Sequence, residues 1–117
     1  MIVVGHYIEK FNILTGQDLE CKDIVQSSGL LLHIQKRHPD CVDKLPYVPL
    51  IIAEPDYIGH NPREENSIEL VKCMDNNLMV CVKLDIKQDY FYVASLFEIS
   101  DAKLKRRIES GRLAKFY

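Results

Sequence analysis

Between Leu78 and Asp85 the side chains alternate with a period of two. Leu78, Val80, Val82 and Leu84 fall on one side, and Met79, Cys81, Lys83 and Asp85 on the other. An extended strand separates neighbours in this way and a helix does not. A turn signal lies at each end, Asp75-Asn76-Asn77 before and Lys87-Gln88-Asp89 after. Asn and Asp tolerate the left-handed backbone angles that tight turns require. Ser67 to Cys73 reads as a strand ahead of the first turn. Tyr90 to Ile99, aromatic and β-branched, is the strongest strand signal in the chain. Consecutive strands with links this short pair as an antiparallel meander.

The first half is less regular. Met1 to about Glu9 begins apolar and β-branched and reads as a strand, Asn12 to Gln17 as a turn, and Leu19 to Gln26 as a second strand. Ser27 or Ser28 then caps a helix over Gly29 to His38, with Leu30, Leu31 and Ile34 as its apolar side. Pro39 stops it, because the residue before a proline is pushed out of the helical region. Asp40 to Pro49 reads as a linker with room for a helical turn, broken by Pro46 and Pro49. Leu50 to Ala53 is either a strand or the end of a helix. Glu54 to Gly59 reads as a turn and His60 to Asn66 as a polar loop. Ser100 or Asp101 caps a last helix to about Ser110, which Gly111 ends. The expectation is an α+β fold in one domain over residues 1–117: N-terminal helices on an antiparallel meander, with a basic helix at the C-terminus.

Charge separates along the chain. His33, Lys36, Arg37 and His38 lie within six residues. His33 and Arg37, four apart, share a helix face, and Lys36 flanks it. Cations at a helix C-terminus satisfy its dipole without any ligand. Equally, two imidazoles beside two fixed cations suit a polyanion. The formal net charge of -2 argues against indiscriminate nucleic-acid binding. Yet residues 101–117 hold six basic side chains (Lys103, Lys105, Arg106, Arg107, Arg112, Lys115) against Asp101 and Glu109.

No apolar run approaches the roughly 20 residues that span a bilayer, and the N-terminus lacks the pattern of a signal peptide. The expected setting is the cytoplasm. Cys21, Cys41, Cys73 and Cys81 form no Cys-x-x-Cys pair. They read as ordinary core cysteines rather than metal ligands, so no metal or cofactor is expected.

Five phrases occur in order: Gly29-Leu-Leu-Leu-His33-Ile-Gln-Lys-Arg37-His38-Pro39, Ile52-Ala-Glu-Pro55-Asp56-Tyr57-Ile58-Gly59, Val82-Lys83-Leu84, Tyr90-Phe-Tyr92-Val-Ala-Ser95-Leu, and Lys105-Arg-Arg107-Ile with Ser110-Gly111-Arg112-Leu113. As a set, spanning about Ser27 to Leu113, they resemble the phage-associated branch of the barnase, EndoU, colicin ribonuclease and RelE superfamily. That resemblance implies helices packed on a curved antiparallel sheet of about four strands. It also implies a nuclease of a phage or mobile element, toxin-like in its use. By position, His33 and His38 match the helical histidines, Lys83 a basic position on a central strand, and Ser95 a hydroxyl position where threonine is frequent.

The implied reaction is metal-independent RNA cleavage by 2′-hydroxyl attack, leaving a cyclic phosphate. It needs a base, an acid, and cations for the non-bridging oxygens. Histidine suits acid or base work near neutral pH. Lys and Arg stabilise developing negative charge. The candidate catalytic set is therefore His33 as acid or base, Arg37 and Lys83 on the phosphate, Ser95 positioning it by hydrogen bond, and His38 as the second helical histidine. Lys36, Arg106, Arg107 and Arg112 are candidate RNA-binding cations, and Tyr90 or Tyr92 a surface for stacking a base. RNA is the expected partner, with a protein inhibitor or antitoxin as a second. The competing expectations are an inactive nucleic-acid-binding fold, with a continuous basic face, and a protein-binding inhibitor module using Asp40 to Glu65. Catalysis requires instead that His33, Lys83 and Ser95 converge on one cleft.

Overall fold

The computed structural model describes residues 1–117. The meander is present as β4 (Ser67–Cys73), β5 (Asn77–Asp85) and β6 (Tyr90–Ile99). It forms the middle of a seven-stranded sheet with β1 (Ile2–His6), β2 (Asp23–Gln26), β3 (Tyr57–Gly59) and β7 (Leu113–Lys115), in the order β1-β2-β6-β5-β4-β3-β7. The helices are α1 (Glu9–Thr15), α2 (Gly29–Arg37), α3 (Val48–Ala53) and α4 (Asp101–Glu109). The class is α+β. No helix is long and apolar enough to cross a membrane.

The alternation along β5 becomes two cores. Leu78, Val80 and Val82 pack in the main core with Ile68, Leu70, Phe91, Val93 and Leu96. Tyr7, Phe11, Leu30, Ile34, Ile51 and Ile52 meet them from α1, α2, α3 and the chain leading into α1. Met79 faces the other way, into a smaller core with Val71, Ile99, Leu104 and Leu113 under α4. Ser100 caps α4, its hydroxyl accepting from the Lys103 N–H at 3.1 Å, and Gly111 follows with φ +84°.

Three expectations are corrected and one is sharpened. The sheet is mixed rather than purely antiparallel, because β2 pairs parallel to β6 through Ile24↔Phe91 and Val25↔Tyr92. The expected turn at Asn12 to Gln17 belongs largely to α1. Asn12 is a buried hub there, accepting from the Tyr7 hydroxyl (2.6 Å) and the Leu19 N–H (3.0 Å) and donating to the Leu19 carbonyl (2.8 Å). Those tertiary bonds outweigh the weak helix propensity of Asn and Thr. The helical turn allowed within the linker at Asp40 to Pro49 is in fact a 3-10 helix over Pro39–Tyr47 that leads into α3. Pro49 sits in the first turn of α3, where its missing N–H costs nothing. Within the turn expected at Glu54 to Gly59, Tyr57–Gly59 forms β3 between β4 and β7.

Two details of β6 position the site. The pairing with β2 covers only Phe91 and Tyr92, so α2 packs against the open remainder of β6. Between Cys81↔Ser95 and Val82↔Val93 the register shifts by one residue on β6, which makes Ala94 a bulge. A bulge bends its strand and re-aims the neighbouring side chains.

Candidate active site

On the α4 side of the sheet lies a cavity of about 340 Å³. Its floor carries Ser67 and Glu69 from β4, Cys81 and Lys83 from β5, and Ala94, Ser95 and Phe97 from β6. Ser67 pairs with Lys83 and Glu69 with Cys81 across β4 and β5, and Cys81 with Ser95 across β5 and β6. One strand face therefore delivers the row. His33 forms one wall, Arg107 and Arg112 another, and the loop residues Asn61 and Glu64 a third.

Each wall has a local cause. Leu30 and Ile34 are buried and anchor α2, which leaves the exposed His33 over the bulge. Its Nε2 is 3.3 Å from the Ser95 hydroxyl. Glu64 is held by its own backbone, whose carbonyl accepts from the Ser67 hydroxyl at 2.6 Å and from His60 Nε2 at 2.8 Å. A carbonyl only accepts, so His60 carries a proton on Nε2. The Glu64 carboxylate meets the Lys83 ammonium at 2.9 Å, and that bond raises the Lys83 pKa. Lys83 thus remains a cation at neutral pH.

Glu69 is only 4% exposed. Arg112 clamps it with two parallel bonds, Nε to Oε1 at 2.8 Å and an outer nitrogen to Oε2 at 3.0 Å, and Arg107 adds a third to Oε2 at 3.3 Å. Two oxygens facing two guanidinium groups leave other N–H donors on both arginines free of Glu69. The carboxylate fixes the cations, and three of its roughly four acceptor positions are taken by arginine. Arg112 reaches the cavity because β7 pairs with β3 at Gly59↔Leu113. A Cβ on Gly59 would lie 2.1 Å from the Arg112 carbonyl oxygen, so glycine alone permits this approach. Burial, aided by Glu69, pushes the Cys81 thiol up to about 12. It is an inert wall rather than a nucleophile.

His33, Lys83 and Ser95 thus share one cavity, together with Arg107 and Arg112. Arg37 and His38 do not line it. They lie on the far side of Phe97, in a neighbouring hollow, one turn further along α2 than His33 and at its C-terminal cap. Lys36 and Arg106 are exposed and line neither. Tyr90 and Tyr92 pack edge to face, with centroids 6.4 Å apart, outside the cavity. Sequence reasoning missed Glu64 and Glu69. Glu69 had a signal: a carboxylate inside the apolar run Ile68 to Val71 must find cations. No three His, Cys, Asp or Glu side chains are grouped as metal ligands would be.

A family model described as phage-Barnase-EndoU-ColicinE5/D-RelE like nuclease3 matches residues 1–106. No curated protein and no solved structure matches the chain.

Proposed function

The chain belongs to this phage-type nuclease family, and from that premise we propose that it cuts RNA by attack of a 2′-hydroxyl on the adjacent phosphate, without a metal. The observation that carries the reading is the meeting of an imidazole, an accessible carboxylate and three fixed cations in one cavity. Glu64 takes the 2′-hydroxyl proton, since its side chain is 44% exposed whereas Glu69 is committed to arginine. The O2′–P bond forms as the P–O5′ bond breaks, and His33 gives its proton to the departing O5′. Arg107, Arg112 and Lys83 face the charge that grows on the non-bridging oxygens, where fixed donors are most effective. Ser95 orients His33 or the phosphate through its hydroxyl. The products are a 2′,3′-cyclic phosphate and a 5′-hydroxyl.

Incubation of wild type, His33→Ala and Glu64→Gln with a defined oligoribonucleotide in EDTA tests this. Wild type should yield cyclic-phosphate ends, with each variant slower by roughly 10²–10⁴-fold. An inactive wild type, or His33→Ala cutting at the wild-type rate, overturns the assignment.

A further inference from the structure

The hollow behind Phe97 measures about 250 Å³. Phe97 lines both it and the cavity, so the two are consecutive along one surface. His38 leans on Phe97, with ring centroids 5.2 Å apart and planes 30° from parallel. The His38 ring also meets His33 edge to face at 6.2 Å. Arg37 opens onto the same hollow and is exposed. It takes part in none of the ion pairs of the molecule. Asp40 and Glu98 complete the rim.

We propose that this hollow seats the nucleotide adjoining the two that flank the scissile phosphate, its base stacked on the His38–Phe97 ledge and its phosphate on Arg37. The inference rests on the ribonuclease reading for its substrate, but its parts are independent of the chemistry. Burial, then the neighbouring His33 and Arg37, push the His38 imidazole below its ordinary value. A neutral ring is an aromatic face rather than a charge, and aromatic faces hold unstacked RNA bases. Arg37 has all its donors available for a phosphate. Asp40 and Glu98 disfavour a bare anion there and supply acceptors for the N–H groups of a base.

The test uses 2′-O-methyl RNA, which binds but cannot be cut by 2′-hydroxyl attack. Fluorescence anisotropy compares a dinucleotide with a hexanucleotide of the same composition. Wild type should bind the hexanucleotide more tightly by roughly tenfold, about the effect of one stacked base. Arg37→Ala and His38→Ala should each lose most of that advantage, and His38→Phe, which retains an aromatic face, should keep it. Wild-type affinity for the hexanucleotide in Arg37→Ala and His38→Ala overturns the proposal, as does His38→Phe falling as far as His38→Ala. A length advantage that depends on these residues in a protein that cuts no RNA would sink the catalytic reading and leave the subsite standing.

Discussion

Glu69 decides whether two of the cavity's cations are in place. A buried carboxylate is costly unless its oxygens are matched, and here three guanidinium bonds match them. In Glu69→Gln the side chain loses its charge and turns an amide N–H₂ toward Arg107 or Arg112. Both arginines then face a neutral partner in a poorly hydrated corner. Removing one member of such a set costs on the order of 3 kcal/mol, read as a lower urea midpoint with an unchanged slope. RNA cleavage should fall as well, because the guanidinium groups are no longer aimed. A variant with wild-type stability would mean that the clamp is open to water and contributes little. The role of Glu69 was half legible beforehand. An acidic residue in an apolar strand announces a need for cations, but which cations answer depends on a strand, β7, of only three residues.

At the scale of elements, that short strand is the lever. β7 begins directly after Arg112 and is sealed to β3 at Gly59. In Gly59→Ala the added methyl meets backbone, the Arg112 carbonyl at 2.1 Å, and backbone cannot swing aside as a side chain can. β3 and β7 must part, and Arg112 leaves the cavity with them. The expected result is a loss of about 1–3 kcal/mol, the usual cost of overpacking, together with a fall in activity at temperatures where the variant remains folded. Circular dichroism melting and cleavage of a defined RNA check the two halves, and a variant that keeps both overturns the account. Periodicity revealed the long elements because β4, β5, β6, α2 and α4 each repeat their pattern over seven residues or more. Tyr57–Gly59 and Leu113–Lys115 are too short to show a period. The helix at Glu9–Thr15 was concealed by Asn12, whose polar bonds are made only once Tyr7 and Leu19 close around it, and by Thr15, whose hydroxyl bonds back to the Phe11 carbonyl.

For the whole molecule, the decisive quantity is how few phosphates it neutralises. The net charge is -2, and the cavity's three fixed cations are already partly matched by Glu64 and Glu69. The convergence of His33 with Lys83 was visible in sequence only through the resemblance, since no local pattern joins positions 50 residues apart. The basic stretch after Ser100, by contrast, was legible as a charge surplus but not as the two surfaces into which it divides. Arg107 and Arg112 turn into the cavity, whereas Lys103, Lys105 and Arg106 stay in solvent. If recognition is confined to the cavity and the Arg37 hollow, about two phosphates are engaged. For a single strand each contributes about 0.7 to the slope of log K against log salt, so the slope should lie near −1.5. Binding of 2′-O-methyl hexanucleotide between about 50 and 200 mM salt measures it. If the exposed face of α4 also held RNA, four or five phosphates would be neutralised and the slope would approach −3. That outcome would make Arg106 a binding residue after all, and Arg106→Ala would then flatten the slope. A slope near −1.5, unchanged in Arg106→Ala but shallower in Arg37→Ala, is what a two-seat site on an acidic protein must give.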